Sequence, residues 1–115
     1  MKGSLSDEVR IKHILDSIKL IQSFTKGFDE HSFLKSQLIQ SAVERQLEII
    51  GEAASKLSDE TKEKYNHIEW FKIKAFRNVI AHEYFGISKI QVWGVVCMDL
   101  PKLKKQIQKI LKEIF

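Results

Sequence analysis

The segment Arg77-Asn78-Val79-Ile80-Ala81-His82-Glu83-Tyr84-Phe85-Gly86 gathers a fixed cation, a carboxamide, an imidazole and a phenol in one short stretch. This set suits the cleavage of RNA. Histidine titrates near neutrality, so it can take a proton from a 2′-hydroxyl or return one to a departing 5′-oxygen. Arginine grips a phosphate through two donors and stabilises the charge that grows on its oxygens. Asn78 would position the phosphate or orient His82. With the RNA's own 2′-hydroxyl as nucleophile, the chemistry needs neither a metal nor a cofactor.

Helical geometry limits how these groups can meet. At about 100° per residue, Asn78 and His82 share one face, as do Arg77 and Tyr84, which are seven apart. Arg77 and His82 fall about 140° apart on a straight helix and do not converge. Either the helix ends near His82, or a second copy completes the site. The second arrangement favours a symmetric dimer in which two copies line one cleft. A plainer role competes. Arginine and histidine near a helix C-terminus satisfy free carbonyls and favour the negative end of the dipole. On chemistry alone that plainer role takes precedence.

Other chemistry is sparse. There is no Gly-rich phosphate loop and no His-Glu-x-x-His pair. His13, His31 and His67 stand singly and read as surface or partly packed residues. Cys97, the single cysteine, cannot form an internal bridge and reads as a small core residue. The first residues lack the apolar stretch of a signal peptide, and no run is long and apolar enough to span a membrane. A cytoplasmic protein without a membrane association is expected.

With 115 residues, of which 43% are hydrophobic, the chain suits one domain over residues 1–115 and has no room for a second. Residues 1–5 are expected to be disordered or extraneous to it. The net charge of +4 is localised. Residues 1–100 balance, and the excess comes from Lys102, Lys104, Lys105, Lys109 and Lys112 against Glu113. Such a strip can attract nucleic acid, but it reads first as the solvated face of an amphipathic helix.

Apolar residues recur at helical spacing throughout and nowhere alternate as in strands. Ile11, Ile14, Ile18 and Ile21 form one stripe, with Ser6 or Asp7 as a cap and Gly27 as a stop. Ala42, Val43, Leu47, Ile50, Ala54 and Leu57 form a second, with Glu44, Glu48 and Glu52 on its polar side. Gly51, with Ala54 and Ser55, leaves a small-residue patch for close helix packing. Ser58-Asp59-Glu60 caps a short third helix. Trp70 to Ala81 reads as a fourth, with Phe71, Ala75, Val79 and Phe76 inward. From Ser88 a last helix keeps Trp93, Val96, Leu100, Leu103, Ile107, Ile110 and Ile114 in the core, and Pro101 should kink or interrupt it. The expected architecture is an all-α antiparallel bundle of about five helices.

The ordered set Arg77-Asn78-x3-His82-x-Tyr84 resembles the signature of HEPN-domain ribonuclease toxins of the HepT type. The likeness extends to Ala42-Val43-Glu44-Arg45 through Glu48-Ile49-Ile50-Gly51-Glu52-Ala53, to Trp70, to Val92-Trp93 and to Asp99-Leu100-Pro101-x-Leu103. It covers the chain roughly from Ser6 onward. It implies a HEPN-type bundle, a homodimer with a shared cleft, and metal-independent RNA cleavage by Arg77 and His82. It also implies a partner, a minimal nucleotidyltransferase antitoxin that transfers AMP to the motif tyrosine, here Tyr84.

Three readings follow from the sequence. In the first, the chain is an RNase toxin that uses Arg77, His82 and Asn78. In the second, it is a non-catalytic subunit that binds nucleotide or RNA beside a nucleotidyltransferase. The third, a scaffold that only dimerises, fits the ordered motif least.

Overall fold

The computed structural model describes residues 2–76 and 89–114. Its secondary structure there is helical throughout, with no strand among the described residues. The elements are α1 (Lys2–Thr25), α2 (Glu30–Leu34), α3 (Gln37–Ser55), α4 (Asp59–Lys64), α5 (Trp70–Lys74), α6 (Lys89–Gly94), a π-helical turn (Val95–Asp99) and α7 (Leu100–Ile114). An all-α bundle is what the helical spacing predicts.

The two long helices α1 and α3 pack along each other, and α7 lies against α1. Ile11, Ile14, Ile18 and Ile21 of α1 are completely buried, as are Val43, Ile50, Ile107 and Ile110. Each such side chain contributes on the order of 1.5–3 kcal/mol by leaving water. Gly27 ends the turn after α1 at φ +82°, a left-handed conformation that glycine adopts without strain. Ser36 and Ser58 cap α3 and α4 by accepting from the amides of Ile39 and Thr61.

The structure corrects several local expectations. α1 begins at Lys2, upstream of Ser6 and Asp7, and Asp7 caps nothing on its own helix. It is buried and accepts from the Ser58 amide at 3.1 Å, the Ser58 hydroxyl at 2.5 Å and the Thr61 hydroxyl at 2.6 Å. It thereby pins the start of α4 to α1. The short helix α2 carries too little apolar pattern to stand out in the sequence, since only Phe33 of it is buried. Its entry is set by a capping box between Asp29 and Ser32.

Phe71 does not face inward: it is 88% exposed, while Trp70, Ile73 and Phe76 carry the burial of that segment. The regular α-helix is interrupted directly before Pro101, as its missing amide leads one to expect, yet the chain stays helical through the interruption. The chain widens into the π turn just before the proline, where the Leu100 amide reaches back to the Val95 carbonyl. A proline has no amide to offer and crowds the carbonyl a turn earlier, and a π turn accommodates both effects. Val79, Ala81, Gly86 and Ser88 lie outside the described residues.

Candidate functional site

Arg77, Asn78, His82 and Tyr84 also lie outside the described residues; the structure shows what holds the chain on either side of them. On the entering side is α5. Its Trp70 indole donates to the Tyr65 carbonyl at 3.1 Å, and Ile73 and Phe76 sink into the core. Lys72 reaches Asp99 of the π turn at 2.9 Å, and the Asp99 carboxylate pushes the Lys72 ammonium above its usual value, through its hydrogen bond first and its charge second. Lys102 of α7 approaches Glu69 at 3.9 Å.

On the leaving side, Lys89 of α6 pairs with Glu44 of α3. Val92 is fully buried, and the Trp93 ring packs on Phe33 with centroids 4.9 Å apart. The amide side chain of Gln40 donates to the Phe33 carbonyl at 2.9 Å and fixes α2 against α3. The motif segment is thus tethered at one end by indole and aromatic burial and at the other by a charge pair.

Glu44 corrects the sequence reading, which placed it on a polar face with Glu48 and Glu52. It is buried, at 8% exposure. Steps of four drift by about 40° each, so three glutamates so spaced do not share one environment. The alternative spacing Gln40, Glu44, Leu47, Gly51, Ala54 follows the buried face, since all five are buried. A carboxylate there needs a cation, and Lys89 supplies one.

The remaining candidates fall out more simply. His13, His31 and His67 are exposed. Cys97 is exposed as well, contrary to its core reading. Desolvation first, and then the Glu30 carboxylate, hold its thiol above the usual value, which disfavours a thiolate nucleophile. The C-terminal lysines lie at the surface, and Lys104 donates to Gln22 at 3.0 Å while Lys109 sits 4.0 Å from Glu113. Among the described residues, no three His, Cys, Asp or Glu side chains cluster as metal ligands do, and no helix is long and apolar enough to cross a membrane.

The model of the family "Ribonuclease HepT-like" matches residues 14–110. A Methanocaldococcus jannaschii protein named "Gamma-glutamylcyclotransferase and putative RNase" is 44% identical over 93% of this chain. The chain spans 48% of that relative's length. A "Putative RNase" of the same organism is 39% identical, over 83% of this chain and 87% of its own. A "Probable ribonuclease HepT" of Thermococcus cleftensis is 35% identical over 97% of this chain and the whole of its own. No solved structure matches the chain significantly.

Proposed function

The chain belongs to the ribonuclease HepT-like family, and from that premise we propose that it is a metal-independent endoribonuclease in which Arg77 and His82 do the chemistry. The observation that carries this reading is the family match over residues 14–110, which encloses the whole Arg77-Asn78-x3-His82-x-Tyr84 set.

The reaction balances without an external nucleophile. One His82 imidazole takes the proton of a 2′-hydroxyl, whose oxygen attacks the adjacent phosphorus. The P–O5′ bond breaks, and the leaving oxygen takes a proton from a second, protonated His82. The products are a 2′,3′-cyclic phosphate and a 5′-hydroxyl end. Arg77 holds the phosphate oxygens as their charge rises, and Asn78 positions the phosphate. A symmetric homodimer supplies the two histidines, and it answers the 140° separation of Arg77 and His82 on a single straight helix.

The finer reading is a toxin restrained by a minimal nucleotidyltransferase. That partner would transfer AMP from ATP to the Tyr84 phenol and release pyrophosphate. The attached phosphate and adenosine would place bulk and negative charge where RNA must enter. Tyr84 follows His82 with one residue between, which places the modified group next to the chemistry in the chain.

The test is incubation of unmodified protein with RNA in excess EDTA, beside His82→Ala, followed by analysis of the ends. Intact mass is checked first, because protein already carrying AMP would be inert. Cleavage by the wild type alone, leaving cyclic phosphates, is the expected result. Saturable, Arg77-dependent RNA binding without products from folded, unmodified protein would move the assignment to a binding subunit.

A further inference from the structure

Away from the motif, a cavity of about 680 Å³ opens in the valley between α1 and α3. That volume lies within the range of small-molecule sites, roughly 300–1,000 Å³. Val9, Ile49 and Ala53 supply its apolar surface, and Arg10, Arg45 and Lys56 bring three cations to its banks. Glu52 is the one acidic group in the lining, and Lys56 already meets it at 3.2 Å.

The two guanidiniums are differently placed but both available. Arg10 donates to the neutral Ser6 hydroxyl at 2.7 Å, and its neighbouring acid, Asp7, is buried and occupied by Ser58 and Thr61. Arg45 is 3.6 Å from Glu48, a loose surface pair, and its side chain is 68% exposed. Such an exposed, loosely held pair contributes little and yields easily to a better anion. The His13 imidazole lies on the same bank as Arg10, with no partner among the described residues.

We propose that this groove binds a phosphate-bearing nucleotide unit, with Arg10 and Arg45 on the phosphate and the Val9–Ile49–Ala53 surface under the base or ribose. Guanidinium groups fork onto phosphate oxygens and stack on planar rings, which a nucleotide offers together. Charge complementarity selects the occupant. A second copy of the chain would bring the same cation-rich face against this one, and like charges so juxtaposed are costly. The proposal rests on the ribonuclease reading only for the identity of the anion, which could be a single-stranded RNA segment or a free nucleoside phosphate.

The test uses the full chain carrying His82→Ala, so that binding is read whether or not the protein cleaves. A fluorescein-labelled single-stranded oligouridylate and ATP are the two probes, measured by anisotropy and by amide NMR shifts. Arg10→Gln with Arg45→Gln should weaken binding of the responding probe on the order of tenfold or more. For RNA it should also reduce the salt slope by about 1.4, since each phosphate no longer neutralised removes about 0.7. Val9→Glu, at a half-exposed site that tolerates substitution, should abolish binding by setting a carboxylate in the groove. Retained circular dichroism separates these effects from unfolding.

Steep, competitive RNA binding with no response to ATP identifies an RNA track. Shifts at Val9, Arg10, Arg45 and Ile49 with ATP alone identify a free-nucleotide site. Either upholds the groove as a nucleotide site. Unchanged affinity in the arginine variant, displacement of the probe by polyglutamate as effective as by RNA, or loss of oligomerisation in Val9→Glu without loss of binding would overturn it.

Discussion

The α1–α3 frame and the edge formed by α5, α6 and the π turn combine burial and polar ties in different proportions. The frame relies on an uninterrupted apolar seam, in which Ile11, Ile14, Ile18, Ile21, Val43 and Ile50 see no solvent. The edge also sinks Trp70, Ile73, Phe76 and Val92 into the core, but it leaves Phe71, Ile90 and Met98 at 88%, 52% and 75% exposure and adds discrete polar ties, Lys72 to Asp99 and Lys89 to Glu44. Non-directional burial builds a scaffold that tolerates similar side chains. Directional pairs locate one stretch of chain against another. The motif lies between the ends of that second region, so positional control is placed where the chemistry is expected.

The contrast is tested most severely at His82. His82→Ala should lower RNA cleavage by about 10²–10⁴-fold, the usual scale for a missing acid–base group. Its thermal midpoint should stay within a few degrees of wild type. A variant that unfolds instead would make the motif structural.

In the frame, Ile18→Ala should destabilise the protein by about 2–5 kcal/mol, since a buried site cannot fully collapse around the missing atoms. Urea unfolding measures this, and a cost under about 1 kcal/mol would mean that the seam is loosely packed. At the edge, Glu44→Gln should cost about 1–3 kcal/mol, because the Lys89 ammonium is then left without the charge of that carboxylate. A double-mutant cycle with Lys89→Met reads the coupling of the two side chains directly.

The Asp7 tie gives the frame its own polar element and a pH signature. Burial pushes the Asp7 carboxyl up, but hydrogen bonds from Ser58 and Thr61, helped by Arg10, outweigh it and hold it below 3.8. A carboxylate lowered on folding stabilises above its unfolded value and loses that contribution as pH falls through the folded one. Asp7→Asn should therefore cost about 2 kcal/mol at pH 7. The gap to wild type should begin to narrow as pH falls below about 4. A gap that does not narrow at all as pH falls below that value would locate the loss in packing and not in charge. Phe71→Ser should have the smallest effect, under about 0.5 kcal/mol, because its ring is already in water.

Much of the frame was legible in the residues, and the reasons are local. The isoleucine steps of three and four mark a helix face whatever it packs against, and Gly27 and Ser58 mark their ends without reference to distant chain. Phe71 departs from its expected place for the complementary reason. A periodic pattern says which residues share a face, but only the neighbouring helices decide which face is covered, and α5 turns Trp70 and Ile73 inward in its place.

Glu44 and Asp7 show the same limit more sharply. A carboxylate is written identically in sequence whether it is solvated or buried, and its partner here is 45 residues away for Glu44 and 51 for Asp7. The all-helical class, the helix stripes and the ordered Arg77-x4-His82 set were determined by sequence alone, because each depends on spacing within one segment. The buried acids, the exposed Phe71 and the cation-banked groove were decided by tertiary structure, because desolvation and pairing exist only once separate segments meet.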